Sequence, residues 1–280
     1  MKRNVQPFTG CEEDDIAPYI FLCGDPARVP KISNSWDDVR EVCRVREYLI
    51  HTGELNDVPL TAASTGMGGP STAIIFEELA KLGGQIFIRV GNSGALADSV
   101  SVGEYVITTG SVRDDGTSKS YVMPEYPAVA HYEVVSALVR AARKANTTFH
   151  IGITWSMDGF YTRNKVLTSE DEIASMSYRD YSQSWMNDML FDLKHAGVKN
   201  CEMESGTILT LANLFNLKAG CICTVSDRAP WPGPSAESLD LDKNMAGCIE
   251  IATAAMLELA QLAESSPRMN AGGSLIHCLL

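Results

Sequence analysis

Three short stretches of the sequence combine residue types that act on anions and sugars. "GDPARV" (24–29) and "IRVGNSGAL" (88–96) each set an arginine, Arg28 or Arg89, beside glycines that follow an apolar run. A guanidinium grips a phosphate through two parallel N–H donors, and glycine lets bare backbone approach the same anion. In the first stretch Asp25 can cap a helix begun by Pro26, leaving backbone N–H groups near Gly24 turned toward an anion. The alternative is plain: two arginines in surface ion pairs, and glycines that only turn the chain at 92–94.

The third stretch, "NCEMESG" (200–206), flanks Met203 with Glu202 and Glu204 where a strand-like run passes into a helical one. Strand alternation sends both carboxylates to one side and Met203 to the other. Such carboxylates accept hydrogen bonds from sugar hydroxyls; alternatively Glu202 meets solvent and Glu204 supports the helix start. "TVSDRAPW" (224–231) ends a further apolar run on Asp227, which suits a general acid near a leaving group or a simple turn cap.

Familiar glycine motifs do not fit. "GMGGPS" (66–71) carries Ser71 where a dinucleotide fingerprint needs its third glycine, and no acidic residue follows at the ribose-binding distance. No Gly-Lys-Ser/Thr occurs, so "GNSGAL" is not a Walker loop, and Ser93 lacks the G-x-S-x-G frame of a nucleophile elbow.

The elements that must position these residues are strand-like runs at 19–23, 58–65, 85–90, 104–112, 149–155 and 219–226. They alternate with helical patterns at 70–82, 132–145, 183–196, 205–216 and 243–263. In the first helix Ile75, Leu79 and Leu82 recur at helical spacing, and Pro70 suits a first turn. Alternation of this kind predicts an α/β layer architecture on a largely buried sheet. No linker interrupts 1–264, and "SSPRMNAGGSLIHCLL" at the end reads as a loose tail.

Composition narrows the function. A formal charge of −12 on 280 residues argues against a nucleic-acid binder or an anionic membrane surface. A small anionic substrate then needs a local arginine cluster. Eight cysteines, at 11, 23, 43, 201, 221, 223, 248 and 278, include no CxxC pair, and Cys221 and Cys223 should share one strand face. Reduced cytosolic thiols are expected rather than a zinc site or disulfide framework. "MKRNVQPFTG" has no apolar signal region, no apolar run is expected to reach a membrane span, and "HCLL" is not a prenylation box.

"GDPARV", "STGMGGPSTAIIFEELAKLG", "RVGNSGAL", "VGEYVITTGSVRDDGTS", "EYPAVA" and "EMESGTILTLA" follow one another across roughly 19–260. This ordered series resembles the nucleoside phosphorylase family that contains uridine phosphorylases and hexameric-type purine nucleoside phosphorylases. The "SVRDDG…PEYPAVA" segment leans toward the uridine branch. The resemblance implies a single-domain, phosphorylase-type α/β fold over 1–264, with a mixed twisted sheet flanked by helices and a flexible tail at 265–280. It implies a pentosyltransferase of nucleoside salvage: a nucleoside and inorganic phosphate give free base and ribose 1-phosphate.

Carried over by motif, Gly24, Arg28, Arg46, Arg89, Asn92 and Ser93 would hold phosphate, and Met203 and Glu204 the ribose. Gly94, Phe160, Asn164 and Asp227 would line the base, with Arg89, Glu204 and Asp227 as the catalytic set. Arg46 would reach a neighbouring subunit's site, implying a homodimer or a hexamer of dimers. Phosphate is a co-substrate, no cofactor is implied, and Glu47, Met67 and Ser71 match a monovalent cation (K+) position at the dimer interface. No nucleic acid or membrane partner is implied, and the expected location is the cytoplasm.

Several positions depart from the uridine pattern. In "FYTRNKV" (160–166) Asn164 stands for a glutamine and Val166 for an arginine that read uracil, with Arg163 and Lys165 displaced beside them. Asp227 matches instead an aspartate that protonates the purine in purine-type relatives. Asn92 replaces a threonine, and Thr9 is the nearest polar residue to a missing N-terminal histidine. A uridine phosphorylase is therefore the leading expectation. A purine or broad-specificity phosphorylase and a non-catalytic nucleoside-binding or storage protein are the alternatives. A hydrolytic nucleosidase is disfavoured, because it has little need of the arginines.

Overall fold

The computed structural model describes residues 5–168, 172–186, 188–231 and 244–265. Its strands are β1 (Tyr19–Cys23), β2 (Asp37–Val45), β3 (Tyr48–Leu55), β4 (Val58–Ser64), β5 (Ile86–Ala95) and β6 (Tyr105–Asp114). They continue with β7 (Ala128–Val129), β8 (Phe149–Met157), β9 (Lys165–Leu167), β10 (Ile173–Ser175), β11 (Asn200–Glu202) and β12 (Lys218–Arg228). The helices are α1 (Val29–Ile32), α2 (Gly69–Lys81), α3 (Gly116–Tyr121), α4 (Tyr132–Lys144), α5 (Phe160–Arg163), α6 (Met189–His195), α7 (Ser205–Leu214) and α8 (Met245–Ser265).

The main sheet runs β11-β8-β6-β12-β5-β1-β4-β3-β2, with β7 added beside β6. It is mixed, as expected: β5 pairs in parallel with β1 and β12, whereas β12 pairs antiparallel with β6. The unbroken apolar runs become strands covered on both faces. Every residue of β1 is buried, and so is every residue of β5 except half-buried Asn92. Short β11 then returns to the far end of β5, pairing Asn200 with Ala95 and Cys201 with Gly94. Strands β5, β12, β6, β8 and β11 thereby close into a ring, and the C-terminal end of β5 has neighbours on every side.

This closure corrects the expected turn at 92–94. Residues 86–95 form one continuous strand, and its glycines serve close approach rather than turning. A Cβ on Gly91 would lie 2.7 Å from Arg89 Nη2 and 3.1 Å from Cys223 Sγ; one on Gly94 would lie 2.5 Å from Asp227 Oδ1. On the partner strand the register slips between Val225 (opposite Ser93) and Asp227 (opposite Gly94). Ser226 is the extra residue of that bulge, which re-aims the strand end and sets Asp227 against Gly94.

Helix α2 carries Pro70 in its first turn, and Ile75, Leu79 and the C-cap Leu82 are buried as their spacing predicts, together with Phe76. The pattern at 183–196 resolves into a 3-10 turn at Ser184–Met186 followed by α6. The β2–β3 hairpin was not anticipated: most of β2 is exposed and polar, so it carries no apolar alternation. Against expectation, Met245–Ala263 in α8 is long and apolar enough to span a membrane, with mean hydropathy 1.3. That apolarity faces the protein, because Cys248, Ile251, Ala252, Ala255, Met256, Leu259 and Ala260 are buried in the core shared with α4 and β5. The expected tail at 265–280 lies outside the described residues except for Ser265, which ends α8. The seven described cysteines are free and buried, and Cys221 and Cys223 do share a face, with their Sγ atoms 3.6 Å apart.

Closure leaves no room for a side chain at its seam. Gly94→Ala is expected to lose about 1–3 kcal/mol, the usual range for overpacking, read as a lower urea midpoint. Gly116→Ala, whose Cβ would meet nothing closer than 3.6 Å, should stay near neutral in the same titration.

Candidate active site

The site is organised by Arg89. Its side chain points from the middle of β5 and is 4% exposed. Nε lies 2.8 Å from Glu202 Oε2 and Nη2 lies 2.6 Å from Glu204 Oε2, so one guanidinium bridges both carboxylates. The two glutamates do fall on one side, as their spacing predicts, and both are buried rather than turned to solvent. Glu202 also accepts the N–H groups of Glu204 (2.8 Å) and Ser205 (2.9 Å) and the Ser205 hydroxyl (2.5 Å), which caps the start of α7. Glu204 Oε1 accepts the Gly68 N–H at 2.6 Å and so tethers the glycine loop before α2.

Charge follows this geometry. Burial acts to discharge Arg89, but Glu204 and Glu202 overcome it and hold the guanidinium well above its ordinary range. Burial pushes the Glu204 carboxyl up; Arg89 opposes that shift and the nearby Glu202 adds to it.

Arg28 enters from the neighbouring strand. The 3-10 turn Pro26–Arg28 follows β1 and is capped by Asp25, which accepts the Ala27 N–H at 2.9 Å, as its sequence predicts. Arg28 is buried and donates from Nη1 to Val90 O at 3.3 Å, so its guanidinium lies against β5. Beside it, Gly24 faces the Gly66 carbonyl, 3.5 Å from where its Cβ would stand. Arg28 Nε, Arg89 Nη1 and Asn92 Oδ1 are buried without a hydrogen-bond partner. Buried polar atoms are rarely left so, and each unmet group costs about 1–3 kcal/mol. Two cationic donors and one acceptor, one from the turn after β1 and two from within β5, are what an oxyanion and a hydroxyl would satisfy. Ser93, next along β5, is buried with its hydroxyl donating to Thr224 O at 3.3 Å.

A second group lies at the far end of β5. Burial raises the Asp227 carboxyl, opposed by the Ser226 hydroxyl, which donates to Oδ2 at 3.0 Å. Phe160 opens α5 and meets Trp231 edge-on, with ring centroids 6.1 Å apart. Asn164 is buried, and its amide donates back to Phe160 O at 2.9 Å, closing the short helix. Arg163 is held by Asp114, with Nε at 2.9 Å from Oδ2 and Nη2 at 3.0 Å from Oδ1, and lies over the Trp185 ring. Asp114 also accepts the Trp155 indole N–H at 3.2 Å. Sequence reasoning missed Asp114 and Trp231: Asp114 lies 49 residues from Arg163, and no local pattern marks it.

The remaining expected residues lie elsewhere. Met203 is half-buried beside the two glutamates in sequence. Arg46 is exposed in the turn between β2 and β3, with a positive φ of 55°. Next to it the Ser71 hydroxyl donates to Glu47 Oε1 at 2.7 Å and holds that carboxyl below its ordinary range, while Met67 is 84% exposed.

Comparison with known proteins gives this geometry a context. The family described as "Phosphorylase superfamily" matches residues 18–261. A uridine phosphorylase of Thermococcus kodakarensis is 45% identical over 80% of this chain and 78% of its own length. A uridine phosphorylase of Escherichia coli is 36% identical over 82% of this chain and 89% of its own. A guanosine phosphorylase of Halorubrum lacusprofundi is 37% identical over 79% and 82%.

Because Arg89 pairs with two buried carboxylates, its removal should be felt first in stability. Arg89→Met is expected to destabilise the protein by about 3–5 kcal/mol, the range for a buried pair broken on one side, measured by urea unfolding. A loss near zero would mean that Glu202 and Glu204 do not rely on this guanidinium.

Proposed function

The chain belongs to the phosphorylase superfamily, and from that premise we propose that it cleaves the N-glycosidic bond of a nucleoside, uridine in preference, with inorganic phosphate. The products are free base and ribose 1-phosphate. One observation carries the reading: Arg28 Nε, in the turn that follows β1, and Arg89 Nη1, in the middle of β5, are buried donors without acceptors. A phosphate dianion supplies those acceptors, whereas water as nucleophile would need neither arginine. The uridine preference is supported by the names and coverage of the relatives.

In this reading departure of the base leaves the ribose oxocarbenium-like, and the adjacent phosphate both stabilises that charge and attacks C1′. Gly24, Arg28, Arg89, Asn92 and Ser93 hold the phosphate, with Arg46 supplied across a homodimer or hexamer-of-dimers interface. Exposure of Arg46 supports that role, since within its own chain it sits at a turn facing solvent. Met203 and Glu204 hold the ribose, and Gly94, Phe160, Asn164 and Asp227 border the base. The chemistry calls for no cofactor beyond phosphate as co-substrate, and we assign the reaction to the cytoplasm. A monovalent cation would sit at Glu47, Ser71 and Met67, where the hydrogen-bonded Glu47 carboxylate fits an oxygen-ligated ion and would be neutralised by it.

A purine reading is favoured by Asp227. Its raised carboxyl is suited to deliver a proton to a purine ring nitrogen that uracil lacks. Relatives of both kinds are found.

The deciding experiment incubates the protein with uridine, inosine and adenosine, each with and without phosphate, and measures free base. Base release independent of phosphate sinks the proposal. Because Arg28 makes no direct ion pair among the described residues, Arg28→Gln tests the anion site with less stability loss than an Arg89 variant. The phosphate KM should rise about 10- to 100-fold, as for a lost charge-assisted hydrogen bond, and an unchanged value would remove Arg28 from the site.

Asp227→Asn separates the two base classes. If purine cleavage is acid-assisted, it should fall by about 100-fold or more, while uridine cleavage changes by less than about tenfold. The sign with pH is fixed by the same group: the protonated acid is the active form, so wild-type purine cleavage should decline as pH rises through its upward-shifted pKa. Equal losses for both nucleosides would exclude Asp227 as a purine-specific acid.

A further inference from the structure

The groups at the base end that are recognisable from sequence are largely engaged with the protein itself. Asn164 donates its amide to Phe160 O, and Arg163 is gripped on two nitrogens by Asp114. Two donors nearby are buried without an acceptor among the described residues: Nη1 of Arg163, on a guanidinium already anchored by Asp114, and the indole Nε1 of Trp231, which makes no other side-chain hydrogen bond. An indole N–H can only donate, and when buried it ordinarily finds a partner.

The position of Trp231 is fixed by backbone contacts. Its N–H donates to Lys165 O at 2.8 Å, and its carbonyl accepts the Leu167 N–H at 2.8 Å, forming a parallel bridge with Val166. Trp231 therefore fastens the segment after α5 to the segment that leaves β12. It stands four residues beyond Asp227, and its ring meets Phe160 edge-on. Both neighbours border the base in the phosphorolysis reading, on which this inference rests.

We propose that the Trp231 indole N–H is a specificity-determining donor to an exocyclic carbonyl oxygen of the base. As the glycosidic bond breaks, negative charge spreads onto the carbonyl oxygens of the departing base, and a preplaced donor binds that oxygen more tightly than in the bound nucleoside. An amino group at the same position presents N–H to N–H and leaves the indole unpaired. Trp231 thus selects oxo bases over amino bases in both ring classes: uracil over cytosine, and hypoxanthine or guanine over adenine. This selection is independent of the proton that Asp227 gives to a purine.

The test replaces Trp231 by phenylalanine, which keeps an aromatic ring and removes the N–H. With saturating phosphate, kcat/KM for uridine and inosine should fall about 10- to 100-fold, the range for a hydrogen bond to a developing anion. Values for cytidine and adenosine should change by less than about threefold. Parallel loss on all four nucleosides, or no loss on any, overturns the proposal, because a packing role does not distinguish oxo from amino bases. Where Trp231→Phe lowers the thermal midpoint, β-(3-benzothienyl)alanine at 231 keeps the bicyclic shape and lacks only the donor, and the same pattern is expected.

Free-base binding by calorimetry separates this proposal from the wider reading. If wild-type protein releases no base with phosphate, the phosphorylase reading fails. Tighter binding of uracil than cytosine, and of hypoxanthine than adenine, both lost in Trp231→Phe, would still uphold Trp231. Equal binding by wild type would overturn it.

Discussion

Arg89 is the charge on which the rest of the structure is arranged. A guanidinium in the middle of a buried strand is unstable there without compensation, and Glu202 and Glu204 supply it from a different part of the chain. The pair of contacts fixes more than charge. Through Glu202 it sets the first turn of α7, and through Glu204 and the Gly68 N–H it sets the loop that starts α2. Three elements distant in sequence are thus registered on one side chain, and the third nitrogen of that side chain is left without a protein partner. Two carboxylates balance Arg28 and Arg89, so the site is near neutral before any anion arrives. In the phosphorolysis reading an incoming phosphate would be held by oriented donors rather than by a large excess of positive charge, which suits a protein of net charge −12.

The glycines of β5 follow from the same crowding. Gly91 lies where Arg89 folds back beside Cys223, and Gly94 lies where Asp227 and Cys201 approach from opposite partner strands. Closing five strands into a ring brings β12 and β11 to one end of β5, and only a residue without Cβ admits both. The bulge at Ser226 supplies the remaining adjustment by stepping the register so that Asp227 faces Gly94. Backbone closeness and site assembly are one arrangement here, because the seam of the ring carries the carboxyl.

Much of this was legible in the sequence, for identifiable reasons. Strand β1 matched its apolar run residue for residue, and α2 and α4 matched to within a residue or two, because burial on two faces or one stripe leaves a strong pattern. The shared side of Glu202 and Glu204 followed from period-two spacing. Hairpin β2–β3 did not show, since its exposed first strand carries no apolar alternation. The continuity of β5 through Gly94 was hidden too: glycine after a strand looks the same whether it turns the chain or admits a neighbour. Long-range partners such as Asp114 for Arg163 leave no local trace at all.

The same physics explains why the two halves of the candidate site differ in legibility. The anion end is built from β1 and β5, buried central strands whose register is fixed over many residues, so a short motif predicts where its side chains stand. The proposed base end is assembled from a one-turn helix, the three-residue strand β9 and the last residues of β12, short elements each positioned by a few hydrogen bonds. There the reach of a side chain such as Asn164 decides its partner. Its amide is short and reaches Phe160 O. Polar groups at such an end are reassigned between structure and ligand at small energetic cost, one hydrogen bond at a time. In the proposed site, identity of the nucleophile is therefore constrained by the core of the fold, whereas identity of the base would be set by short peripheral elements free to exchange roles.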